Sequence, residues 1–119
     1  MQVRSHGRAE PFTTTDGSTI RSLLDRSVAP VRNHSLAEAG LAPGQATRRH
    51  HHRLSEEFYY LLEGEAEMEV DGERAAVRAG DAVLIPPGSW HQIRASPDGP
   101  VRLLVTCSPP WSAEDTLFE

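Results

Sequence analysis

Between Gly44 and Pro100 one turn signal follows another: Glu63-Gly64, Asp71-Gly72, Ala79-Gly80-Asp81, Pro86-Pro87-Gly88 and Pro97-Asp98-Gly99-Pro100. Glycine supplies the positive φ of tight turns, and proline presets one turn dihedral while giving up its N–H, so each cluster ends whatever precedes it. The runs left between the clusters are too short for stable helices and match the usual length of strands. The spacing predicts strands over 47–52, 57–63, 66–71, 74–78, 82–85, 90–95 and 101–107. Upstream, partial alternation from Val31 to Leu41 stops at Ala42-Pro43-Gly44 and predicts another strand, and Asp16-Gly17 marks a turn between short extended pieces. Many short strands without a helical period predict an all-β sandwich or barrel. Residues 1–30 read as an N-terminal arm with short strands, 31–108 as the barrel, and 109–119 as a C-terminal tail, since Pro109-Pro110 cannot extend a central strand.

The 119 residues suffice for one core, and the formal net charge of -5 gives no drive toward nucleic acid or an anionic membrane. All twelve basic residues are arginine, which excludes a Schiff-base lysine. Cys107 is the single cysteine, so no intrachain disulfide can form, and its apolar strand predicts a small buried hydrophobe. No apolar run reaches the roughly 18 residues of a membrane span, and the N-terminus lacks a signal-peptide core. A cytoplasmic protein without membrane or nucleic-acid partners is the expectation.

Four residues carry the chemistry. His50 and His52 stand one residue apart, so on a strand both point to one face and His51 to the other. Glu57 follows shortly, with Glu56 as its competitor, and His91 comes after the Pro86-Pro87-Gly88 turn. Three imidazoles and one carboxylate suit a divalent metal ion. His34 lies outside this set, and neither a Ser-His-Asp constellation nor a glycine-rich phosphate loop stands out.

The spacing Gly44, five residues, His50, one residue, His52, four residues, Glu57, six residues, Gly64 resembles the first signature of the cupin superfamily. Gly80, five residues, Pro86, one residue, Gly88, two residues, His91 resembles the second, with Ala95 where the terminal Asn is expected. The fifteen intervening residues are similar to the short spacing of small single-domain bacterial cupins. This resemblance implies a double-stranded β-helix, or jelly-roll, barrel in which His50, His52, Glu57 and His91 hold one divalent transition metal, whether Fe, Mn, Ni, Cu or Zn. The six-residue step to Gly64 favours Glu57 over Glu56. Counting by two places Tyr59, Leu61, Ile93 and Ala95 on the cavity face and turns Trp90 and Gln92 outward. Tyr59 is the candidate catalytic residue, as a hydrogen-bond donor to a bound small-molecule substrate.

The resemblance implies a metal-dependent enzyme on a small oxygen-rich organic substrate, with dioxygenase chemistry favoured because the quartet is similar to that of cupin dioxygenases. Isomerase or lyase chemistry (decarboxylation or polyketide modification), with the metal as Lewis acid, is the alternative; a non-catalytic binding module is a further one. A homodimer, formed by exchanged N-terminal strands or packed sheets, is also expected.

Overall fold

The computed structural model describes residues 1–119. Eleven strands follow in order: Phe12–Thr13 (β1), Thr19–Leu24 (β2), Ser35–Leu41 (β3), His50–His52 (β4), Glu56–Glu63 (β5), Glu65–Val70 (β6), Glu73–Arg78 (β7), Ala82–Ile85 (β8), His91–Ala95 (β9), Val101–Ser108 (β10) and Thr116–Phe118 (β11). The helical content is one 3-10 turn at His6–Arg8. One sheet has the order β1-β2-β3-β10-β5-β8 and the other β11-β4-β9-β6-β7, all neighbours antiparallel. The fold is all-β, as the punctuated sequence predicts, with the jelly-roll barrel that the cupin resemblance implies.

Period-two alternation decides which side chains go inside. Along β5, Glu57, Tyr59 and Leu61 are buried while Glu56, Phe58, Tyr60 and Leu62 are exposed. Leu61 meets Met68, Ile85, Ile93 and Leu103 between the sheets, and these apolar faces supply the main driving force for closing the barrel. Two turns show why glycine is required. Asp71 and Gly72 both take positive φ, 49° and 88°, the geometry that lets a two-residue turn join the twisted strands β6 and β7. Gly64 has φ +89°, and a Cβ there would lie 2.2 Å from the carbonyl oxygen of Pro100, so a side chain would force the β5–β6 and β9–β10 turns apart.

Three stretches differ from the sequence expectation. The strand predicted from Val31 starts only at Ser35, where pairing with Cys107 of β10 begins. The strand predicted over 47–52 is regular only over His50–His52, because Ala46 bridges Arg94 and Thr47 exchanges hydrogen bonds with Ile93 in a register that the intervening arginines interrupt. Residues 109–119 do not trail away as a tail. β11 pairs with β4, and Asp115 accepts the backbone N–H groups of Leu54 and Ser55 at 2.8 and 3.0 Å. Without β11, one edge of the histidine-bearing strand would expose unpaired backbone groups. The N-terminal stretch likewise joins the barrel, since β2 pairs along β3.

Candidate metal centre

β4 lies between β11 and β9, and His50 is the register partner of His91. His50 and His52 turn inward and are buried; His51 turns outward, its ring 4.4 Å from that of Trp90 at 75°. Gly88 takes φ +79° and donates its N–H to the carbonyl of His52 at 2.7 Å, so the Pro86-Pro87-Gly88 turn is tied to β4 immediately before β9 begins with His91. Glu57 enters from the opposite sheet through inward alternation on β5. Glu56 points out and is exposed, and His34 is exposed and remote from the group.

One donor atom from each of His50, His52, Glu57 and His91 lies within 4.8 Å of the others. Their hydrogen bonds show what the group is suited to hold. Each imidazole has Nδ1 engaged: His50 with the carbonyl of Arg48 at 2.7 Å, His91 with the carbonyl of Ser89 at 2.9 Å, and His52 with Thr116 Oγ1 at 3.0 Å. The two carbonyls can only accept, and the Thr116 hydroxyl already donates to the Ser112 carbonyl, so all three rings carry their proton on Nδ1. On each neutral ring Nε2 is therefore the lone-pair atom. Nε2 of His52 and His91 lie 3.3 and 3.0 Å from Oε1 of Glu57, and these buried atoms have no partner outside the group. Buried polar atoms are rarely left so, and imidazoles fixed through Nδ1 with Nε2 converging beside a carboxylate fit a divalent cation.

The charges agree. Burial alone would raise the Glu57 pKa, but His52 and His91 outweigh it and hold the carboxyl well below the usual range. Burial also opposes a charge on His52, yet Glu57 beside it leaves that pKa above the ordinary imidazole value. His50 is pushed down to about 4 by burial and then by His91, so it stays neutral. Burial, reinforced by Glu57 and Asp16, drives the Tyr59 phenol well above its ordinary value.

Three of the four donor residues, with Tyr59, line a cavity of about 160 Å³, while His91 sits fully buried behind them. That is close to the roughly 150 Å³ that accommodates benzene in a protein core. The Tyr59 ring stands edge-on to His91, centroids 6.0 Å apart. Ile93 is buried as counting predicts; Ala95, in place of the expected Asn, packs in the apolar core.

Sequence reasoning missed several contributors. Cys107 is buried, as expected of a small hydrophobe, but its thiol also donates to Glu57 Oε2 at 3.2 Å. The two residues are register partners on β10 and β5, so a correct strand pairing would have revealed the contact. Thr116, which orients His52, and Asp16, which lines the cavity from the β1–β2 turn, lie in segments read as tail and arm. No local motif marks either.

The chain is 40% identical over 111 residues to an uncharacterized protein of Methanocaldococcus jannaschii, covering 93% of this chain and 89% of that protein. It is 32% identical over 93 residues to the polyketide synthase CurC of Streptomyces cyaneus, covering 78% of this chain and only 60% of the relative. Among solved structures, the polyketide cyclase RemF from Streptomyces resistomycificus superposes with a TM-score of 0.79 at 25% identity, over 97% of this chain and 89% of that one. The family model of the cupin domain, Cupin_2, matches residues 37–107, more than half of the sequence, and on this match the chain belongs to the cupin family.

Proposed function

We propose that the protein is a metal-dependent enzyme acting on a small oxygen-rich organic molecule, with His50, His52, Glu57 and His91 as the metal ligands. The observation that carries this reading is the convergence of buried Nε2 of His52 and His91 on Oε1 of Glu57, at 3.3 and 3.0 Å, on side chains whose other polar atoms are all engaged outside the group. A divalent transition metal there would act as a Lewis acid toward a carbonyl or enol oxygen. The protein's own groups do the rest. His50 and His52 present their ring edges to the cavity, and the Cys107 thiol holds Glu57 Oε2 so that Oε1 faces the centre. The Tyr59 hydroxyl is a hydrogen-bond donor for a second substrate oxygen, and the apolar side chains of β3 and β10 exclude water from the reacting end.

Within that class, the likeness to polyketide-associated relatives over most of this chain favours a non-oxidative step on a keto or hydroxy substrate, such as cyclisation or isomerisation. The donor set also supports a second reading, a dioxygenase, because His50, His52, Glu57 and His91 would leave a bound transition metal accessible to both a chelating substrate and dioxygen. Incubating the metal-loaded protein with aryl poly-β-ketones and with catechols, with and without dioxygen, separates them. Product formed anaerobically from the polyketone supports the first reading. Oxygen consumed in step with catechol loss supports the second, and turnover of neither by protein with bound metal contradicts both.

A further inference from the structure

The largely apolar cavity wall carries carboxylates and no arginine, the reverse of an anion-binding site. Of the twelve arginines none lines it; Arg48 stacks on Phe118, one of the lining residues, 4.3 Å from the ring centroid. The charged side chains that do line it, beside the histidines, are Glu57, Asp16 and Asp25. Asp16 and Asp25 stand at the two ends of β2, and each is locked by a serine two residues on. Asp16 Oδ1 accepts the N–H and hydroxyl of Ser18 at 2.8 and 2.6 Å; Asp25 Oδ1 accepts those of Ser27 at 2.8 and 2.5 Å. The Asp16 turn is itself pinned, since Arg48 N–H donates to the Asp16 carbonyl at 2.7 Å and the Gln45 amide to that of Gly17 at 2.6 Å. No protein donor reaches Oδ2 of Asp16, a residue that lines the cavity, so that oxygen is open to water or a ligand hydroxyl.

Together these two carboxylates outweigh the single positive charge that a divalent ion retains after Glu57 is counted. A ligand whose enolate or phenolate meets the metal therefore finds no counter-charge for a second anionic group. We propose that this cavity selects uncharged hydroxyl- and carbonyl-bearing molecules over carboxylate-bearing ones, with Asp16 accepting a hydrogen bond from a ligand hydroxyl and, with Asp25, repelling a ligand carboxylate. The inference rests on the metal reading above and adds the substrate class to it. Glu57 Oε1 and His52 Nε2, 3.3 Å apart on side chains only 3% exposed that line the cavity, give its metal-facing end independently of the aspartates.

A matched pair of chelators tests it. Kojic acid and comenic acid share a hydroxypyranone chelate and differ in carrying a hydroxymethyl or a carboxylate group at one ring position. Each is titrated into the Co(II)-loaded full chain, with binding read from the visible absorption of the metal. Kojic acid should bind about tenfold more tightly than comenic acid, as expected for charge repulsion partly screened by water. In Asp16→Asn, whose amide oxygen can still accept from Ser18, comenic acid should gain most of that factor; Asp25→Asn should move in the same direction and guards against a folding defect in the first variant. Equal affinities in the native protein, or a preference unchanged in both variants, overturn the selectivity while leaving the metal site standing. Failure to take up Co(II) at all overturns the metal reading and the selectivity with it.

Discussion

At the scale of single residues, the centre depends on what holds each imidazole from behind. His50 and His91 are held by the carbonyls of Arg48 and Ser89, which no side-chain substitution removes, whereas His52 is held by the hydroxyl of Thr116 alone. Thr116→Val keeps the shape of the side chain and leaves the His52 Nδ1–H without an acceptor. Metal affinity should fall about 10–100-fold, the usual effect of losing such an outer partner, when measured by competition with a chromophoric chelator. Thr116→Ser should restore it, and an unchanged affinity in Thr116→Val would show that His52 is not oriented this way. That His50 and His52 share a face was legible in the sequence because strand alternation fixes which of three consecutive histidines point together. Cys107 and Thr116 were not, because their contacts with Glu57 and His52 span 50 and 64 residues and depend on strand pairing rather than local pattern.

Among the elements, the short strand β4 is the most dependent on its neighbours. Its three residues carry two of the donors, and its backbone is held by β9 on one side and β11 on the other. Asp115, just before β11, accepts two backbone N–H groups from the turn between β4 and β5 while being only 8% exposed. Asp115→Ala removes both acceptors and should cost about 1–3 kcal/mol, the range for leaving buried donors unsatisfied, read as a lower urea midpoint with an unchanged slope. A midpoint equal to that of the native protein would mean that β11 adds nothing to the barrel. The strands from β5 to β10 were visible as runs between turn signals. β11 was hidden because Pro109-Pro110 reads as an exit from the fold, and a three-residue strand has no period of its own; the docking site on β4 makes it a strand.

On the scale of the whole molecule, the outer face of the six-stranded sheet carries Phe58, Tyr60, Leu62 and Leu84, each at least 36% exposed, on adjacent strands. If the homodimer expected from the sequence forms, this exposed apolar face is where a second copy would pack. Light scattering should give twice the 13.1 kDa chain mass, and Phe58→Glu should return it to the mass of one chain. A native protein of single-chain mass at micromolar concentration would remove the dimer. What joins the whole barrel to function is that both sheets, closing over one core, bring His50, His52 and His91 from one side to Glu57 from the other. The most direct test is the metal content of the chain purified without chelators, by mass spectrometry, beside that of His91→Ala. We predict about one divalent transition metal per native chain and a small fraction of that in the variant, since structural and catalytic ions are held by three or four protein ligands acting together. A native chain without metal, or a variant that retains it in full, would contradict the assignment.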